Sequence, residues 1–510
     1  MTSRRVDIAI ACALALVTVY AFPYFAGIQS ANELPRLYQT MAVVDRGALD
    51  VDQGVRRWGR TADLSRYGGH DFPNKPPGMS LLGVPFYAAL KGGYALAGAE
   101  PPLRAIMLAL RLGCATLPAL LFLLLAVPRL LAAFVPSIEA RRAALIAYGI
   151  GSMALTYGKL LIAHQLAATL VGTSYTLLVL RARGELGPRA LAHAGAAAGA
   201  AVLADYQTGF LVPLLGIYAV ATARPRLRGA LLFAVGGLPF ALALAAYHRA
   251  CFGAVFSTGY DHALTPHMAA AHAQGFLGMG APKLSTLARQ LFSPRAGLLA
   301  LSPMWLLALP GLALLARRRE WRPDAALVIA ATAVYLWFAA SLVFRGGWTV
   351  GPRYMTALLP LLVVPLGLAL EAARGRGALW AAAAGLALVS IATYALASAV
   401  FPHFPDAFAS PIFQLAWPLL RDGHAPYSLG TVVGLRGAVS LAPYAAVVAA
   451  LGAVVAVSGA GSRRRRAATA LGAVLVAAVL LAAMFVTTPP LGRRAAKTYR
   501  WIESIWQPWP

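Results

Sequence analysis

The stretch GMSLLGVPFYAALKGGYALA (Gly78–Ala97) decides how the chain is threaded. It is long enough to cross roughly 30 Å of hydrocarbon, yet Pro85, Lys91 and the pair Gly92-Gly93 interrupt it. A charge and two helix-weakening glycines in one apolar run fit a helix lying in the interface better than one crossing it. The choice fixes the parity of everything downstream: if this segment crossed, every later loop would change sides.

Around it, apolar runs of about 20 residues recur. They cover Val6 to Gly27, then 104–127, 143–160, 164–180, 190–205, 207–223, 229–249, 296–316, 325–344, 355–372, 378–400, 438–458 and 467–487. With Gly78–Ala97 kept out of the count, the expectation is an all-α polytopic membrane protein of about 13 transmembrane helices, with interfacial helices in its first outer loop. Composition agrees. The chain is 59% hydrophobic and 12% charged, whereas about a quarter of residues are charged in soluble domains.

The basic residues test the threading. With the N-terminus in the cytoplasm, Arg129/Arg141/Arg142, Arg181/Arg183/Arg189, Arg224/Arg226/Arg228, Arg317/Arg318/Arg319/Arg322, Arg374/Arg376 and Arg463 to Arg466 all fall inside, as the positive-inside rule requires. A formal net charge of +26 is therefore read as orientation and contact with anionic lipid rather than nucleic-acid binding. The expected location is the bacterial inner membrane, multi-pass, with a cytoplasmic N-terminus and a periplasmic C-terminus.

Residues 1–510 read as a single integral membrane domain. Loops 28–103, 250–295 and 401–437 face the periplasm, as does a short tail, 486–510, whose Trp501, Trp506 and Trp509 read as interfacial anchors. The first apolar run lacks a small-residue cleavage site and reads as an uncleaved helix. Cys12, Cys114 and Cys251 offer neither a disulfide framework nor a zinc motif. His262, His267 and His272 recur every five residues, off any single helical face. No metal or other cofactor is expected from these patterns.

Most carboxylates gather in the outer loops, which makes the outer face the chemical face. Glu33 follows the first helix directly and reads either as a base fixed at the membrane surface or as a solvated loop acid. Lys75, held out of helical geometry by Pro76 and Pro77, reads as a phosphate-binding ammonium or as a snorkelling lysine. The cluster Arg345-Gly346-Gly347-Trp348-Thr349-Val350-Gly351-Pro352-Arg353-Tyr354 opens a later helix. There Arg353 offers a guanidinium fork for phosphate oxygens, or an anchor to lipid. Arg111, His164 and Asp205 interrupt apolar runs, and such groups usually line a cavity. His164 is placed at the border of the site.

Taken together, these pieces resemble the polytopic C-type (GT-C) glycosyltransferases. The nearest likeness is to the bacterial polyprenyl-phosphate-sugar transferases related to protein O-mannosyltransferases and to the aminoarabinose transferases of lipid A. Asn32-Glu33 with Arg36 and Tyr38 stands where that family has its acidic motif, Lys75-Pro76-Pro77-Gly78 matches its Lys-Pro element, and Arg353-Tyr354 with Pro360 matches its basic-Tyr-Pro element. The likeness is strongest over residues 28–130 and 290–365. It implies inverting transfer of a sugar from a polyprenyl-phosphate donor to a lipid, glycan or protein acceptor activated by a carboxylate, and it adds Arg36 and Tyr354 to the substrate-binding residues, which the Gly-, Trp- and Arg-rich cluster extends to Arg345. The family's motif is an Asp-Glu pair with the aspartate as base. Asn32 replaces that aspartate here, so the role passes to Glu33 or to another loop acid, Asp63 or Asp71. A second family aspartate is replaced near His164. The alternatives are a lipid-linked sugar flippase, a surface-polysaccharide polymerase or ligase, and a non-catalytic relative.

Overall fold

The computed structural model describes residues 3–28, 30–275, 278–343, 347–460 and 463–506. The chain starts with α1 (Ser3–Val19), α2 (Leu34–Arg46), α3 (Asp52–Trp58), the hairpin β1 (Leu64–Tyr67) and β2 (His70–Pro73), α4 (Gly78–Leu96) and the long helix α5 (Leu103–Ala132). Then come α6 (Ile138–Ile150), α7 (His164–Ala182), α8 (Arg189–Ala204), α9 (Tyr206–Thr222) and α10 (Arg226–Phe252). The longer helices that follow are α11 (Pro303–Arg317), α12 (Arg319–Ser341), α13 (Arg353–Ala373), α14 (Gly377–Val400), α15 (Gly437–Ser458), α16 (Arg463–Val486) and α17 (Arg493–Ser504), with short helical segments between α10 and α11 and between α14 and α15.

Among the described residues, seven helices are long and apolar enough to cross a membrane: α5, α10 and α12 to α16. Helices α8, α9 and α11 are apolar but shorter. The chain is a multi-pass, all-helical membrane protein apart from one two-stranded hairpin. That hairpin was not expected from the sequence. Its turn, Gly68-Gly69, has φ of 57° and 85°, the mirror-image turn geometry that two-residue hairpins favour and only glycine adopts freely.

Three of the expected runs are shorter or broken. Helix α1 stops at Val19, and the chain continues extended, with Phe22 N–H donating to the Tyr427 carbonyl at 2.8 Å and Ala21 bridging Ser428. Pro23 cannot extend a helix. The run 143–160 breaks after Ile150, where Ser152 accepts from Ala154 N–H and caps the short helix Met153–Tyr157. The run 296–316 turns at Ser302, whose hydroxyl donates to the Gly151 carbonyl at 2.6 Å, so the two breaks satisfy one another.

Residues 158–163 between Tyr157 and α7 are non-helical yet fully buried. Irregular backbone survives at membrane depth only where protein groups satisfy its amides. Here Thr116 donates to the Gly158 carbonyl at 2.8 Å, and Leu161 N–H donates to Glu33 at 2.8 Å. Helix α5 carries two π-helical stretches, Arg111–Thr116 and Phe122–Ala126, each just before a proline, Pro118 and Pro128. Widening the turn absorbs the missing N–H of each proline without a sharp kink. Helix α4 packs its first half on α2, where Thr40 Oγ1 donates to the Ser80 carbonyl at 2.8 Å; its buried residues are Met79, Ser80, Gly83 and Tyr87.

Candidate active site

The first turn of α2 builds the site. Pro35 starts the helix, and Arg36 folds back so that its guanidinium donates to the carbonyl and the side-chain oxygen of Asn32. Asn32 Nδ2 in turn donates to Asp63 Oδ2 at 3.1 Å, and Lys75 Nζ lies 3.5 Å from the same oxygen. Lys75 also sits 5.0 Å from the ring centre of Tyr260. The stiff segment after β2 thus delivers Lys75 beside the start of α2.

From the other side, Arg353 opens α13 and donates to Tyr354 Oη at 3.2 Å. Gly351 precedes it at φ 74°, and a Cβ there would meet Tyr394 Oη at 2.6 Å. Tyr354 stands edge-on to His164, ring centres 5.5 Å apart, and Tyr157 closes the opposite side of His164 at 5.7 Å. His164 Nδ1 is 2.6 Å from Asp205 Oδ2, which also accepts from Gln207 Nε2 at 2.9 Å.

The charges do not balance. Arg36, Lys75 and Arg353 are three buried cations, and the carboxylates beside them are Asp63 and Asp205. Among the described residues, no carboxylate lies within 4 Å of either guanidinium, and the Nε of both Arg36 and Arg353 is buried without a hydrogen-bond partner. Burial lowers the pKa of Arg36, opposed by Asp63, Asp205 and Tyr260 and reinforced by the neighbouring Arg353. The site is short of one anion.

Asp205, Gln207, Tyr260, Phe338 and Tyr354 line a cavity of about 370 Å³. An apolar groove of about 830 Å³ adjoins it at Gly209 and runs between α8, α9 and α10, walled by Phe233, Leu238 and Phe240. Close crossing of α8 and α10 creates that groove. A Cβ on Gly195 would meet the Phe233 carbonyl at 1.9 Å, so only glycine permits the approach.

Two expected acids stand elsewhere. Glu33 is 1% exposed and receives Arg111 Nε and Nη2 at 2.8 Å each, besides Leu161 N–H. Burial alone would raise its pKa; the Arg111 charge and hydrogen bonds overcome that and hold it at about 2. Glu33 is thus engaged in an ion pair, whereas the sequence expectation of a base has it free. Asp71 is tied to Arg66 at 2.7 Å and Arg60 at 3.3 Å on the hairpin, outside the contacts that join Arg36 to Lys75. Arg345 lies outside the described residues. Asp50, Asp52 and His70 bring ligand atoms within 4.8 Å of one another, but Arg46 already pairs with Asp50 at 2.8 Å and His70 is largely exposed.

Sequence reasoning missed Tyr260 and the pairing of His164 with Asp205, and it flagged Arg111 without its partner. The signal was partial: Arg111, His164 and Asp205 were visible as polar interruptions, but 41 residues separate the histidine from its aspartate and 78 separate Glu33 from Arg111.

No protein-family profile matches the chain, and neither does any curated protein sequence. Solved structures do. ArnT from Cupriavidus metallidurans, bound to undecaprenyl phosphate, superposes with a TM-score of 0.50 at 16% identity, over 96% of this chain and 77% of that one. The arabinosyltransferase EmbB from Mycobacterium smegmatis gives 0.43 at 15% identity over 94% and 40%, and the Archaeoglobus fulgidus oligosaccharyltransferase 0.43 at 14% over 82% and 58%. The chain has the polytopic fold of the C-type glycosyltransferases.

Proposed function

We propose that this protein transfers a sugar, with inversion, from a polyprenyl-phosphate donor to an acceptor at the outer face of a bacterial inner membrane. The observation that carries the reading is the pair of buried guanidinium groups, Arg36 and Arg353, that have no carboxylate within 4 Å among the described residues and an unpaired Nε each. A buried charge without a counter-ion costs several kcal/mol, and a phosphodiester headgroup supplies the missing anion. The apolar groove that adjoins the Tyr354 cavity at Gly209 suits the prenyl chain, and ArnT, which shares the fold, was solved with undecaprenyl phosphate bound.

In this reading Arg36, Arg353 and Lys75 hold the phosphate. As the anomeric C–O bond breaks, the phosphate passes from one negative charge to two. Fixed cations therefore stabilise the departing group more than the bound donor. Asp63 keeps Lys75 and Asn32 in place and so acts as a positioning residue, while Tyr354 walls the sugar cavity. The acceptor is a hydroxyl or amine on a lipid, glycan or protein. Residues 1–510 act as one integral domain, with the N-terminus in the cytoplasm and loops 28–103, 250–295 and 401–437 in the periplasm.

Purified protein incubated with radiolabelled undecaprenyl-phosphate sugars and an envelope extract should move label into the extract, invert the anomeric centre and release undecaprenyl phosphate. Consumption of no donor, together with no thermal stabilisation by undecaprenyl phosphate, would sink the proposal.

A further inference from the structure

Glu33 is clasped by Arg111, and Asp63 is engaged through Oδ2 with Asn32 and Lys75, so both loop acids already stand in ion pairs. We infer that His164, oriented by Asp205, is the base that takes the proton from the acceptor. The inference rests on the donor reading above. Asp205 binds Nδ1 at 2.6 Å and so fixes the tautomer, leaving Nε2 on the other side of the ring as the proton acceptor. Nε2 is buried and has no hydrogen-bond partner, an arrangement that is unfavourable until a ligand completes it. The ring packs against Tyr354 and beside Asp205 and Gln207, three residues that line the cavity.

The step balances. The acceptor oxygen or nitrogen forms its bond to the anomeric carbon as its proton passes to Nε2. The anomeric C–O pair leaves on the polyprenyl phosphate, and the imidazolium then releases the proton to water. Burial opposes the imidazolium, Asp205 stabilises it, and Arg353 and Arg36 oppose it further; Tyr157 and Tyr354 are the remaining titratable groups against the ring.

Two measurements test the role. In protein carrying ¹³Cε1-labelled histidine in nanodiscs, His164→Asn identifies one resonance among the nine histidines. That resonance should titrate, and Asp205→Asn should move its midpoint to lower pH, because the supporting anion is gone. In turnover of undecaprenyl-phosphate sugars, His164→Asn should lower kcat about 10²- to 10⁴-fold with donor KM little changed. Asp205→Asn should carry the acid limb of kcat to lower pH by the same interval as the resonance. A His164 signal indifferent to pH or to Asp205→Asn, or a kcat profile that ignores both variants, would overturn the base assignment while leaving the donor reading intact. Failure of undecaprenyl phosphate to stabilise the wild type, with His164 titrating as expected, would overturn the donor reading and this role with it.

Discussion

Two buried polar groups of opposite character lie near the start of α2. In the Glu33–Arg111 pair each charge meets its opposite and every guanidinium nitrogen is bonded: two of them and the Leu161 amide reach the carboxylate, and Arg111 Nη1 donates to the Pro23 carbonyl at 2.7 Å. His403, buried beside them, is pushed down to about 4 by burial. In the Arg36–Arg353 group, by contrast, cations outnumber carboxylates and Nε atoms go unpaired. The saturated group ties the chain together; the unsatisfied one awaits a partner. Residue type does not separate the two, since each holds arginine and a carboxylate. The count of satisfied valences does.

The largest expected effect tests the saturated pair. Glu33→Ala strands a buried guanidinium and should destabilise the protein by about 3–5 kcal/mol, whereas replacing both Glu33 and Arg111 by methionine should recover most of the loss. Thermal denaturation of the three variants in nanodiscs would measure this. Equal losses in single and double variants would mean that the pair is not the source of the stability.

Acid should dismantle the same pair. Glu33 sits at about 2 in the folded protein against an ordinary value of 4.5, so its contribution of about 3 kcal/mol is complete above pH 4.5 and disappears as pH falls towards 2. Glu33→Gln should flatten that part of the stability profile. A wild-type profile level between pH 5 and 3 would contradict the saturated state.

The unsatisfied group should answer in turnover rather than in stability. Arg353→Ala and Lys75→Ala should each reduce transfer about 100-fold, and the double variant should lose less than the product, because one phosphate is shared. Arg353→Lys should rescue only in part, since an ammonium lacks the guanidinium fork. Strictly additive losses would separate the two cations. The smallest effect belongs to Asp71→Asn on the hairpin: partly exposed ion pairs contribute about 0–1 kcal/mol, and transfer should stay at the wild-type rate. A clear loss of transfer would bring Asp71 back into the site.

The fold was legible because lipid leaves few ways to satisfy a backbone, so apolar length and the positions of arginines already constrain the architecture. The breaks were less legible: Gly151-Ser152 and Ser302 sit inside apolar runs, and although Pro303 marks the second, the hydrogen bond from Ser302 to the Gly151 carbonyl that joins the two breaks leaves no trace in sequence. For the site, Lys75 and Arg353 drew attention because proline and glycine hold each at the edge of an apolar run. Glu33 misled for a physical reason. An acid after a first helix looks the same in sequence whether it is free or clasped, and Arg111, which clasps it, lies 78 residues on. His164 and Asp205 were each visible alone, but a dyad is a relation in space that neither periodicity nor charge pattern records.

The buried irregular stretch at 158–163 has a consequence for biogenesis. Gly158 and Lys159 N–H still donate to the preceding helix, but the Leu161 amide depends on Glu33, and lipid offers no substitute. As the chain leaves the translocation machinery, Glu33 emerges 128 residues before the Leu161 amide that it later receives. Residues 158–163 therefore cannot settle at depth until α2 and α5 have assembled around a waiting carboxylate, and the order of synthesis matches the order that assembly needs. A circular permutation that placed α2 after α7 would reverse that order, leaving the same contacts available in the finished protein but no dry seat for Leu161 at the moment it is delivered.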